Sequence, residues 1–245
     1  MSQALATSRM LYELAPRGVL RVAINLGNPV LAQPGPVGGE PKGVSVELAR
    51  ALARQVGLPL RLITYDAAGK VFAARGQDQW DLAFLAIEPE RAEQLAFSTP
   101  YVTIEGTYLV RQESPDRQTS DLDQPGRRIA VGHGAAYDLY LSRTLIHADL
   151  IRGPTSAAAV DLFLERALDA AAGVRQPLEQ IARAHPQVRV LPDSFTEIRQ
   201  AMAMPKERTL AAAYIDAFIR QQIANGFVAQ ALEQSGQRDV QVPAP

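Results

Sequence analysis

Leu20-Arg21-Val22-Ala23-Ile24, then Val44-Ser45-Val46-Glu47-Leu48-Ala49-Arg50-Ala51-Leu52-Ala53-Arg54-Gln55-Val56 followed by Gly57, then Leu60-Arg61-Leu62-Ile63-Thr64, reads as strand, helix, strand. Val44, Leu48, Leu52 and Val56 recur at spacing four and so share one helix face, and Gly57 stands where a helix stops. The flanking apolar runs have strand length. A strand–helix–strand unit of this kind belongs to an α/β fold with mostly parallel strands.

The same alternation continues outward. A short helix over 69–75 ends at Gly76, and 81–85 is a third strand. Pro89 is a good first residue for another short helix. Residues 97–100 lead into an apolar strand at 101–110. The polar stretch 111–126 holds Pro115 and Pro125 and reads as surface loop. The pattern then starts again. Strands are expected at 128–131, 150–151, 168–172 and 188–191, with helices at 135–145, 156–166 and 177–184. Thr155 or Ser156 is the expected N-cap of the second of these helices. A connection through Met202 and Pro205 leads to helices over 210–225 and 228–234, broken at Gly226. The tail 240–245, with two prolines, is expected to be loose.

Composition narrows the function. Of 245 residues, 47% are hydrophobic and 21% charged, which is ordinary for a chain that buries a core. Lys plus Arg number 25 against 26 Asp plus Glu, which argues against a nucleic-acid surface. There is no cysteine, so disulfides, zinc–thiolate sites and thiol nucleophiles are excluded. His133, His147 and His185 have no ligand spacing, so no metal site and no cofactor are expected. The first ten residues show no basic start followed by an apolar stretch of secretory length, and no run reaches the length of a spanning helix. A cytoplasmic address, or an earlier loss of a leader, is the expectation from the sequence as it stands.

The order of short motifs is more telling than any one of them. Gly18-Val19-Leu20-Arg21-Val22-Ala23 comes first, then Gly43-Val44-Ser45-Val46-Glu47-Leu48-Ala49. Trp80-Asp81-Leu82-Ala83 and Glu90-Arg91 lead into Phe97-Ser98-Thr99-Pro100-Tyr101, and Ile129-Ala130-Val131-Gly132 and Leu168-Asp169-Ala170 follow. From about 18 to 234 this series resembles the extracellular solute-binding proteins of family 3, the polar-amino-acid-type binding components of ABC importers. The resemblance implies a two-lobe type II periplasmic-binding-protein fold, each lobe a mostly parallel sheet flanked by helices. Lobe 1 would take 1–108 and 200–245, and lobe 2 would take 109–199. Two crossover strands, near 107–111 and 196–202, would join them, with hinge closure on a solute in the cleft. It also implies a periplasmic address, a small-molecule ligand, an ABC permease as partner, and a monomer.

The resemblance names site residues too. Arg91 matches the arginine that clamps a ligand carboxylate, and a guanidinium fork suits a carboxylate with two bonds. By residue type alone, Arg91 also reads as a surface arginine paired with Glu88 or Glu93. Gly132-His133-Gly134-Ala135-Ala136 matches a turn whose backbone N–H groups (Gly134, Ala135, Ala136) would face the same carboxylate at a helix start. A plain tight turn is the other reading, and His133 reads as a turn histidine. Asn25 and Asn28 read equally as ligand-facing amides and as turn formers. Thr155 is counted with the ligand residues besides its capping role.

Two departures bear on the ligand. The segment Phe84-Leu85-Ala86-Ile87-Glu88-Pro89-Glu90-Arg91 lacks the hydroxyls that family members carry there. Ala172-Gly173-Val174-Arg175 lacks the aspartate that would meet an α-ammonium, and burying an ammonium without a carboxylate is costly. Glu105 reads as a substitute for that acid or as a surface glutamate. With Phe84, Leu85 and Ala86 as apolar walls and positive charge from Arg91, Arg175 and Lys70, a carboxylate with an apolar or uncharged body is the expected solute.

Three functions are weighed. The first is non-catalytic solute binding for an importer or a sensor. The second is an enzyme like the cyclohexadienyl (prephenate or arogenate) dehydratases, for which Glu105 and Asp138 are the available acids. The third is the effector half of a regulator, and the roughly 17 residues before Gly18 are too few for a helix-turn-helix.

Overall fold

A computed structural model of the chain describes residues 3–37 and 39–244. The chain divides into two compact units. Unit 1 is Met1–Tyr65, Lys70–Thr103 and Arg199–Pro245, and unit 2 is Asp66–Gly69 and Ile104–Ile198.

In the first part of the chain come α1 (Gln3–Leu14), β1 (Leu20–Asn25), α2 (Val44–Val56), β2 (Leu60–Tyr65), α3 (Ala68–Ala73), β3 (Leu82–Ala86), α4 (Pro89–Ala92) and β4 (Leu95–Phe97). β5 (Val102–Arg111) carries the chain into unit 2. There follow β6 (Arg128–Gly132), α5 (Ala136–Thr144), β7 (Asp149–Gly153), α6 (Ser156–Glu165), β8 (Ala170–Val174), α7 (Arg175–Ala184) and β9 (Val188–Val190). β10 (Thr196–Pro205) returns to unit 1, which ends with α8 (Thr209–Ala224) and α9 (Phe227–Gln234).

The strand–helix–strand reading holds. β1 pairs in parallel with β2 from Leu20↔Leu60 to Asn25↔Tyr65, and with β3 through Val22↔Leu82 and Ala23↔Ala83. β10 lies antiparallel to β3 and β4. Val44, Leu48 and Leu52 of α2 are fully buried, as are Leu20, Val22 and Ile24 of β1. Each such side chain contributes roughly 1.5–3 kcal/mol by leaving water, so Leu48→Ala would cost about 2–5 kcal/mol. Gly57 ends α2 in the left-handed region (φ 68°), its N–H reaching the Arg54 carbonyl.

Unit 2 repeats the plan. β8, β6 and β7 are parallel neighbours, while β5 runs antiparallel to β8 and β9. Leu109, Ala130, Phe163, Leu178 and Val188 form its core. The Asp169 carboxylate of the Leu168-Asp169-Ala170 motif takes the Arg128 N–H at 2.8 Å and Arg127 Nη1 at 3.0 Å, pinning the start of β6.

Three expectations are corrected. Residues 200–205, read from their pattern as a connection, belong to a ten-residue strand, Thr196–Pro205, which includes the crossover strand that the resemblance implies near 196–202. The stretch 111–126 is not merely surface: Leu122 and Asp116 are buried, and Asp193 accepts from Thr119 N at 3.0 Å and Oγ1 at 2.8 Å. The tail is pinned at Gln241, whose carbonyl accepts the Thr103 N–H at 2.9 Å. Pro245 lies outside the described residues.

Candidate functional site

Pro89 opens α4 at its first turn, and the extended Glu88 precedes it. This short helix places Arg91 just beyond the carboxyl end of β3. Arg91 is 1% exposed, and its Nη1 donates to the Ala86 carbonyl at 3.1 Å. Burial lowers its pKa to about 10, while Glu88 and Glu90 act in the opposite direction. The guanidinium is therefore charged at neutral pH. The surface position in the other reading of Arg91 does not fit a residue so deeply buried, while Glu88, itself buried, does act on its charge.

Phe84, Leu85 and Ala86 are buried within unit 1. Phe84 meets Tyr101 edge-on, with ring centroids 5.7 Å apart and planes at 86°. The Tyr101 hydroxyl pairs with Ser45 Oγ at 3.1 Å. The Phe97–Tyr101 motif owes its residues to local anchoring. Ser98 N donates to the Met202 carbonyl at 2.9 Å, and Ser98 Oγ accepts from Met202 N at 3.1 Å. Thr99 donates from N (2.6 Å) and Oγ1 (2.7 Å) to the Asp216 carboxylate. Sequence reasoning missed Asp216 and Ser45, because their partners stand far away in the chain.

Asn25 and Asn28 both serve their local turns. Asn25 Oδ1 accepts from Gly27 N at 2.9 Å, and Asn28 Oδ1 accepts from Val30 N at 3.2 Å.

Unit 2 holds the remaining candidates. Gly134 sits in the left-handed region (φ 69°), a conformation that suits glycine. Its N–H donates to Asp138 Oδ2 at 2.8 Å, and the Ala135 N–H donates to the Gly132 carbonyl at 3.0 Å. The expectation that both N–H groups lie open to an anion is thus corrected: the turn folds back on its own helix. α5 begins at Ala136, and His133 is exposed. Thr155 is the N-cap of α6, its Oγ1 accepting from Ala158 N at 3.1 Å.

The acids considered for chemistry are engaged. Asp138 is buried and accepts from Arg152 Nε at 3.1 Å and from Ser142 Oγ at 3.3 Å. Glu105, its side chain 48% exposed, bonds Arg175 Nε. Arg175 also donates to the carbonyls of Leu191 (3.1 Å), Pro192 (3.2 Å) and Asp193 (2.9 Å). This corrects Arg175 as a positive charge offered to a ligand: Glu105 already takes it. Lys70 lies on α3. Among the described residues no group of three or more His, Asp or Glu is placed to hold a metal. Among them, too, no helix is long and apolar enough to cross a membrane. Of the candidates, unit 1 thus brings Arg91 into one body with Phe84, Leu85, Ala86, Asn25 and Asn28. Gly134, Ala135, Ala136, Thr155 and Glu105 belong to unit 2.

Comparison with known proteins places this arrangement. The chain is 31% identical over 195 residues to the membrane-bound lytic murein transglycosylase F of Ectopseudomonas mendocina (strain ymp), a match covering 75% of this chain and 39% of that protein. The chain thus spans about two fifths of that relative's length. Among solved structures, the amino acid ABC transporter substrate-binding protein AbpA of Streptococcus pneumoniae, bound to L-arginine, superposes with a TM-score of 0.79 at 20% identity, covering 93% of this chain and 98% of that one. The ancestral amino acid-binding protein AncCDT-1, a precursor of cyclohexadienyl dehydratase, gives 0.77 at 23% identity over 91% and 97%. These likenesses show the fold, that of type II periplasmic binding proteins. The model of the bacterial extracellular solute-binding proteins, family 3, matches residues 20–237, both alternations of strand and helix and the Arg91 turn included, and the chain belongs to that family.

Proposed function

We propose that the chain binds a small carboxylate-bearing solute and releases it unchanged, with Arg91 taking the carboxylate. One observation carries this reading: a charged, deeply buried guanidinium stands just past the carboxyl end of a parallel strand, the end at which open α/β sheets take ligands. The apolar Phe84, Leu85 and Ala86 lie on that strand. Glu105, the acid weighed as partner for an ammonium, has its charge spent on Arg175. That favours an organic acid with an uncharged or apolar body, with an amino acid as the other member of the class. AbpA, with L-arginine, supports the amino-acid member. Delivery to an ABC permease, or signalling as a solute sensor, are the roles such a receptor serves outside the cytoplasm.

The dehydratase reading draws on the likeness to AncCDT-1. Against it, Asp138 and Glu105 are both held by arginines, and an acid in an ion pair is poorly placed to move protons. Turnover of prephenate or arogenate by the purified chain would overturn the binding-only reading.

The direct test is native mass spectrometry of gently purified protein, followed by denaturation to identify the retained small molecule. That molecule at 100 times its dissociation constant should stabilise the chain by about 2.7 kcal/mol. Arg91→Ala should abolish this response while the circular dichroism spectrum stays unchanged. A variant that still responds fully would remove Arg91 from the site.

A further inference from the structure

Arg21 and Arg61 are the second residues of β1 and β2 and register partners, so their side chains leave the same face of the sheet. Together with Arg17 and Asp78 they border a hollow of about 480 Å³ in unit 1. It lies at the amino-terminal ends of β1 and β2. Arg91 follows the opposite end of β3, which runs parallel to β1.

The charges in this hollow do not cancel. Arg21 is buried and makes a two-point pair with the buried Asp81, at 2.9 and 2.8 Å, and Arg208 shares that carboxylate at 3.2 Å. Asp78 stands in the left-handed region (φ 53°), unusual for a residue with a side chain. It is held there by Arg21, whose Nη1 reaches its carbonyl at 2.6 Å and whose Nη2 reaches its carboxylate at 2.7 Å, and by Arg17 on the same carboxylate. Arg61 is exposed and forms no ion pair among the described residues. Of the residues that border the hollow, arginines 17, 21 and 61 stand against Asp78, and Asp81 beneath offsets Arg21, so its lining is net positive.

We infer that this hollow is a second ligand site, for the dianionic phosphate group of a small phosphate ester. A phosphate dianion suits this positive lining, and the guanidinium fork of Arg61 matches phosphate oxygens with paired bonds, with Arg17 adding its charge from beside Asp78. The hollow is several times larger than a phosphate and within the range of small-molecule pockets. Ile63 supplies an apolar wall and Gln79 an amide for the ester's organic body. The site stands independently of Arg91 and of the solute that Arg91 binds.

The test is thermal unfolding and titration calorimetry of the full chain with glycerol 3-phosphate and with inorganic phosphate, against sodium chloride at matched ionic strength. Both phosphate probes should raise the melting temperature and chloride should not. Arg61→Gln should weaken phosphate binding about tenfold or more, the size of a lost charge-assisted bond, and Arg61→Glu should abolish it. Arg61 is exposed, so neither change threatens the fold. Arg91→Ala should leave the phosphate response intact, separating this site from the carboxylate site. A phosphate shift no larger than that of chloride, or an Arg61→Gln variant with wild-type affinity, would overturn the inference.

Discussion

The Ser45–Tyr101 pair and the Asp216–Thr99 anchor show what single side chains do for unit 1. Tyr101 is fully buried, and burial pushes its phenol above the ordinary tyrosine range, Ser45 acting in the opposite direction. Tyr101→Phe would leave the buried Ser45 hydroxyl without this partner, at a cost of about 1–2 kcal/mol. Adding Ser45→Ala removes both ends of the bond and should recover part of the loss. A urea-denaturation double-mutant cycle reads the difference, and strictly additive losses would show that the bond contributes nothing. At Asp216, partial burial pushes the carboxyl up, but Arg220 and the two Thr99 donors outweigh it, so the pKa falls below the ordinary aspartate value. A carboxyl lowered by folding contributes stability above its unfolded value of about 3.9 and loses it as pH falls through the folded value. Asp216→Asn should therefore be less stable than wild type at pH 7 by about 1 kcal/mol, and the gap should narrow progressively as the pH falls below the unfolded value. A gap that is constant with pH would remove Asp216 from the acid response. Neither partnership was legible in the sequence, since Thr99 and Asp216 stand 117 positions apart. Asn25 and Asn28 were legible only as far as an even choice, because the same amide suits a turn and a ligand.

At the scale of elements, local signals were reliable wherever they were strong. Spacing four and Gly57 place α2 at Val44–Val56, and Pro89 marks the start of α4. β10 was legible only through the family resemblance, which implies a crossover strand near 196–202, and its own residue pattern hid it for a physical reason. Its sequence, Thr-Glu-Ile-Arg-Gln-Ala-Met-Ala-Met-Pro, is poor in β-branched residues, and pairing with β3 and β4 overrides the propensity. α1 was missed because what holds it lies on α8, some two hundred residues along. Leu14 is fully buried, and the Glu13 carboxylate accepts the Leu210 and Ala211 N–H groups at 2.8 and 3.2 Å. The first turn of α8 has no side-chain cap from Arg208, so Glu13 does that work from another helix. α1 also lies before the span matched by the family, 20–237. Glu13→Ala should cost about 0.5–2 kcal/mol in denaturant, as the loss of an N-cap does. Glu13→Gln, whose amide oxygen still accepts, should cost less. Equal losses for the two variants would mean that packing rather than capping is at stake.

The whole molecule was legible as two rounds of one alternation, and the structure gives each round a core of its own. Trp80, the single tryptophan, is buried in unit 1 and donates from its indole to the Val71 carbonyl at 3.1 Å. Phe163 is fully buried in the core of unit 2, where the Arg111 guanidinium lies 4.7 Å from its ring. Unit 2 is, apart from four residues, one unbroken segment, whereas unit 1 is gathered from three. A contiguous segment with a closed core can lose its packing without dissolving the other body. Phe163→Ala should remove about 3–5 kcal/mol from unit 2. Urea unfolding followed by far-ultraviolet dichroism, which sees both units, should then begin at lower urea than in wild type. Tryptophan fluorescence, which sees only the surroundings of Trp80, should keep its midpoint. The two probes would separate in the variant by more than in the wild-type chain. If the fluorescence midpoint instead moved down with the dichroism, unfolding would be one cooperative event across both units. The loss at Phe163 would then be shared by the side chains around Arg91, and a solute bound there would stabilise unit 2 as well.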